Sequence, residues 1–106
     1  MTESQEIKKA LIRLRDFNCI VFNFNSNKPN NPGLAGHPDW LILTPKLNVV
    51  YIEVKIGKDS LSDIQKWVLN RLASVMGLPH SRVIFSLCKS SKAAKRISDQ
   101  IISREI

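Results

Sequence analysis

Cysteine is scarce in this sequence. Cys19 and Cys88 stand far apart with no histidine cluster beside them, which excludes a disulfide framework and a paired-cysteine zinc site. Both read as small buried hydrophobes. Long apolar runs are lacking too: stretches such as Trp40 to Leu43 and Val49 to Ile52 span four residues, where a membrane-spanning helix needs about 20. The opening Thr2-Glu3-Ser4-Gln5-Glu6 is acidic and polar, without the basic-then-apolar order of a secretory signal. A soluble cytoplasmic protein is expected. Negative charge is also in short supply. Nine acidic residues face 16 basic ones, a net charge of +7, and such an excess attracts polyanions, nucleic acid first and anionic membrane second. What is present is ordinary for a globular chain: 106 residues at 43% hydrophobic allow a single domain over 1–106 with one small core.

From Glu3 to Phe17, Ile7, Ala10, Leu11 and Leu14 recur at intervals of three and four, which predicts an amphipathic helix capped by Thr2. Cys19 to Phe24 is rich in branched and aromatic residues and short, so it reads as a strand. A loop crowded with Asn, Pro and Gly follows from Asn25 to His37. Trp40 to Thr44 and Val49 to Ile56 read as an antiparallel hairpin turning at Pro45 to Asn48. Alternation along the second strand puts Ile52, Val54 and Ile56 on one face and Tyr51, Glu53 and Lys55 on the other. Ser62 with Gln65 has the form of a capping box, and Ile64, Val68, Leu72 and Val75 continue it as a helix ended by Gly77 and Pro79. Val83 to Cys88 is the strand that returns from this helix, and Ser91 to Arg104 forms the last helix, with Ala94, Ile97 and Ile101 facing in. Trp40 and Trp67 are both read as packing residues.

The constellation that can carry chemistry is Gly36-His37-Pro38-Asp39, then Glu53-Val54-Lys55, then Gln65. The hairpin brings Asp39, at the mouth of one strand, toward Glu53 and Lys55 on the next. Two carboxylates from adjacent strands suit a hard cation such as Mg²⁺, whose octahedron is completed by water and phosphate oxygens. A neighbouring lysine can hold or polarise an attacking water and offset charge growing on a phosphate. Glu-x-Lys alone carries little weight, since Glu6-Ile7-Lys8 repeats it inside the first helix. The conjunction of the pieces in a basic chain is what points to phosphodiester hydrolysis.

These residues resemble the PD-(D/E)XK nuclease superfamily and, within it, the VRR-NUC type. The likeness rests on Gly36-x-Pro38-Asp39 followed by Leu41-Ile42-Leu43, then Tyr51-Ile52-Glu53-Val54-Lys55, then Leu61-Ser62-x-x-Gln65 and Leu72. It implies a restriction-endonuclease-like α/β core: a mixed four-stranded sheet flanked by helices in the order α-β-β-β-α-β-α. It further implies Asp39 and Glu53 as metal ligands, the Val54 carbonyl as a further one, Lys55 as catalytic lysine and Gln65 as support for the site. An acidic residue of the first helix is also implied at the metal. Glu3 and Glu6 compete for that place, and Glu3, within the stripe of Ile7, Leu11 and Leu14, is preferred.

Lys28, His37 and Lys58 are the candidate nucleic-acid contacts. The function expected is Mg²⁺-dependent endonucleolytic cleavage of duplex or structured DNA, with Mn²⁺ able to substitute, by a homodimer acting as a junction resolvase, water attacking phosphorus in line. The resemblance also suggests a phage or other mobile element, and so a host cytoplasm. Two rivals remain: a sequence-specific endonuclease of homing or restriction type, and a non-catalytic basic nucleic-acid-binding module in which Glu53 and Lys55 form a surface ion pair.

Overall fold

Thr2 opens the first helix as expected: its side chain accepts from the Gln5 N–H, and the Gln5 side chain accepts in return from the Thr2 N–H at 2.8 Å. The computed structural model describes residues 1–24, 36–57 and 60–105. Helix α1 covers Glu3–Ile12 and tightens into a 3₁₀ turn over Arg13–Phe17, which Asn18 ends in the left-handed conformation at φ 65°. Asparagine tolerates that region better than most residues. The sheet is built from β1 (Ile20–Asn23), β2 (Trp40–Leu43), β3 (Val49–Val54) and β4 (Val83–Cys88), with α2 (Asp63–Met76) between β3 and β4 and α3 (Ser91–Glu105) at the end. The order α-β-β-β-α-β-α and the mixed four-stranded sheet are those expected.

Strands lie in chain order, β1 antiparallel to β2, β2 antiparallel to β3, and β3 parallel to β4. The register sets the two faces. Val21, Ile42 and Val50 form one row with Ile84, and Asn23, Trp40, Ile52 and Ser86 form the next. This face is packed into the core with Ile7, Ala10, Leu11 and Leu14 of the first helical segment and Ala93, Ala94, Ile97 and Ile101 of α3. The opposite face carries Ile20, Leu43, Val49 and Val83, then Phe22, Leu41, Tyr51 and Phe85, then Glu53 beside Leu87.

α2 departs from the expectation in its rotation. Its partly covered side is Gln65, Val68, Leu69 and Leu72, no residue of the helix is fully buried, and Ile64 and Val75 are exposed. The apolar stripe read from the sequence is Ile64, Val68, Leu72 and Val75, of which Val68 and Leu72 are on the covered side. The helix instead turns by roughly half a quadrant about its axis, at 100° per residue, to bring Gln65 inward. Trp67 is therefore not a packing residue: it is 64% exposed, with Arg71 stacked over its ring at 5.9 Å. Trp40, by contrast, is buried in the core. β3 is also shorter than read, ending at Val54 with Lys55 and Ile56 beyond it.

Candidate active site

Asp39 stands immediately before β2, bonded through both its main chain and its side chain. Its main-chain oxygen accepts from the Phe24 N–H at 2.8 Å, which extends the β1–β2 pairing by one residue, and its carboxylate Oδ2 accepts from the Val54 N–H at 2.8 Å. The second contact ties it to the residue after Glu53. Glu53 lies near the end of β3 on the face away from the α1–α3 core. Both carboxylates are buried, at 5% and 3% exposure.

Gln65 covers Glu53. At the start of α2, its Oε1 accepts from the Ser62 N–H at 2.9 Å while its Nε2 donates to Glu53 Oε1 at 3.2 Å. The capping box and the site contact are thus made by opposite ends of one amide. Gly36 lies close against α2 nearby. It adopts φ 77°, and a Cβ there would stand 2.9 Å from Ile64 Cγ1, 3.0 Å from Val68 Cγ2 and 3.1 Å from the Ile64 carbonyl oxygen. Only glycine takes that backbone conformation without strain in that space.

Lys55 is half-buried, and its N–H donates to the Cys88 carbonyl at 2.9 Å, continuing the β3–β4 ladder one residue past the strand. Strand alternation therefore persists to it and keeps it on the side of Glu53. His37 is half-buried against Phe24 and Tyr51, which meet its ring edge-to-face. Lys28 and Lys58 lie outside the described residues.

Glu3 is placed differently from the ligand role expected of it. Its carboxylate accepts from the Ser91 N–H at the start of α3, and that bond, with Lys95 nearby, holds its pKa below the ordinary carboxylate value. Among the described residues no group of three or more His, Cys, Asp or Glu is placed to hold a metal. The donor set offered is two carboxylates, with the Val54 carbonyl adjacent in the chain. All-oxygen donors of this kind suit a hard cation that keeps several waters, and not zinc in a closed site.

The aromatic clamp on His37 was not read from the sequence. Its signal was there in part, because alternation puts Tyr51 on the face of Glu53, but Phe24 reaches the cluster only through the pairing of β1 with β2.

No family model matches the chain, and no curated protein does. Among solved structures, one described as a VRR_NUC domain aligns over 98% of this chain and 97% of its own, with a TM-score of 0.59 and 19% sequence identity. At that identity the likeness speaks for architecture: from α1 to α3, the chain has the fold of a VRR_NUC domain.

Proposed function

We propose that the protein is a metal-dependent endodeoxyribonuclease acting on structured or duplex DNA, in the manner of a junction resolvase. The observation that carries this reading is that Asp39, just before β2, and Glu53, near the end of the adjacent β3, are both buried carboxylates in a chain with net charge +7. Buried carboxylates held in place by hydrogen bonds, as Asp39 is by the Val54 N–H and Glu53 by Gln65, gather at functional sites. The fold of a VRR_NUC domain agrees with it.

In this reading Asp39 and Glu53, with the Val54 carbonyl, hold Mg²⁺ or Mn²⁺. Either ion would polarise the phosphate and make water a better nucleophile. The rest falls to the chain. Gln65 holds the Glu53 carboxylate in place. Lys55 orients the attacking water and offsets charge growing on the phosphate. Lys28 and Lys58 contact the DNA backbone.

A second copy completes the enzyme, placing two sites across a two-fold axis. Support comes from apolar side chains left in solvent: Ile20 and Phe22 on the open sheet face, 56% and 43% exposed, and the outer side of α2. The non-catalytic reading is disfavoured by Glu53, because a surface ion pair requires an exposed carboxylate and this one is buried.

The test is cleavage of labelled four-way junction, linear duplex and single-stranded DNA with Mg²⁺ or EDTA. The parent is expected to cut the junction or duplex only with Mg²⁺, Asp39→Ala to be inactive, and Lys55→Ala to be slower by about 100-fold or more. Equal cutting by Asp39→Ala and the parent defeats the proposal. Cuts that recur at one sequence in a random library would identify a homing or restriction type of enzyme.

A further inference from the structure

His37 has its Nδ1 2.6 Å from the carbonyl oxygen of Pro38. A carbonyl only accepts, so Nδ1 is the protonated ring nitrogen. Two rings grip the imidazole edge-to-face: Phe24, just past β1, with centroids 4.6 Å apart at 72°, and Tyr51 of β3 at 5.8 Å and 71°. The carbonyl it holds belongs to the peptide that leads into Asp39. Because that peptide is planar, fixing its oxygen fixes the orientation of the Asp39 nitrogen as well. On its other side Asp39 is bonded to Phe24 and Val54. The imidazole, two strands and the carboxylate therefore form one closed set of contacts.

We propose that His37 is a positioning residue for Asp39. By donating from Nδ1 to the Pro38 carbonyl while clamped between Phe24 and Tyr51, it sets the peptide plane from which the Asp39 carboxylate projects, and so raises the affinity of the Asp39–Glu53 pair for a divalent cation. The role rests on the reading of that pair as a metal site. It differs from the phosphate contact expected from the sequence, because the protonated nitrogen is turned onto the chain's own backbone. Groups that hold a ligating side chain in this way commonly change metal affinity by about 10–100-fold when removed.

Calorimetric titration of Mn²⁺ into the DNA-free protein measures that affinity without turnover. His37→Phe keeps a ring between Phe24 and Tyr51 but has no donor; His37→Leu lacks the donor in a smaller side chain. His37→Asn restores one, since asparagine Nδ2 branches from Cγ as Nδ1 does. The expected result is Mn²⁺ binding weaker by about 10-fold or more in the Phe and Leu variants, largely recovered in the Asn variant, with DNA affinity in EDTA unchanged in all three. Parent-like Mn²⁺ affinity without the donor, or a loss that asparagine does not restore, overturns the proposal. A fall in DNA affinity in EDTA at unchanged metal affinity would make His37 a phosphate contact instead. A parent that binds no Mn²⁺ sinks the metal reading together with this role, whereas firm parent binding indifferent to His37 sinks this role alone.

Discussion

Gln65 accepts from the Ser62 N–H with one end of its amide and donates to Glu53 with the other, so one side chain both caps α2 and holds a site carboxylate. Substitution separates the two duties. Ser62→Ala removes only the hydroxyl that accepts from the Gln65 N–H, and should cost about 1 kcal/mol of stability while leaving the cleavage rate near that of the parent. Gln65→Ala removes the cap's other half and the contact to Glu53, and should lower cleavage by about 10–100-fold through weaker metal binding. Melting temperature and rate, measured on both variants, check this: equal activity in the two would mean that Gln65 only caps. Both uses of the residue are legible in the sequence, the cap from the spacing Ser62-x-x-Gln65 and the site role from the family resemblance. That one amide does both at once depends on which side of α2 faces the sheet.

At the scale of elements, α3 is pinned by a carboxylate at each end. Glu3 accepts from the Ser91 N–H at its start, where an anion also complements the helix dipole. Glu105, at its end, accepts from the Lys46 N–H at 2.8 Å and from Asn48 Nδ2 at 2.9 Å, tying the helix to the β2–β3 turn. Partial burial pushes the Glu105 pKa up, but hydrogen bonds from Thr44, Asn48 and Lys46 outweigh this and bring it below the ordinary carboxylate value; the Ser91 bond does the same for Glu3. Carboxylates with lowered pKa contribute stability that is complete above their unfolded value and lost as pH falls through the folded one. The protein should therefore melt at lower temperature as pH drops from 5 toward 3, and Glu105→Gln should flatten part of that slope. A slope unchanged in Glu105→Gln would show that the C-terminal pin contributes nothing. Neither pin follows from local pattern. Each joins residues more than fifty positions apart, and helix periodicity identifies Glu3 only as lying on the inward stripe.

For the whole molecule, the balance of charge and exposed apolar surface matters most. The chain carries +7, yet leaves Trp67, Ile64, Val75 and Leu78 in and beyond α2, and Ile20 and Phe22 on the sheet, in solvent. Exposed apolar side chains of this number suit a subunit interface better than a free surface. Sedimentation at micromolar concentration should give the mass of two chains, and DNA binding in EDTA should weaken steeply with added salt as counterion release requires, alike in the parent and Asp39→Ala. A mass of one chain would remove the dimer, and salt-indifferent binding would remove the backbone contacts assigned to the lysines.

Several features were written into the chain locally. Helix and strand periods, the cap at Thr2, the capping box at Ser62, the turn at Pro45 to Asn48 and the alternation of Tyr51, Glu53 and Lys55 follow from neighbours a few residues apart. Together they led to the α/β order, the four strands and the face on which Glu53 lies. Periodicity names the apolar stripe of a helix but not the angle at which it meets the sheet, and α2 also lies at close range to Gly36 through Ile64 and Val68. The inward turn of Gln65, the exposure of Trp67, the engagement of Glu3 with Ser91 and the ring contacts of His37 with Phe24 and Tyr51 all depend on contacts across the fold. Such contacts form only when separate elements compete for the same space, a competition that no single segment encodes.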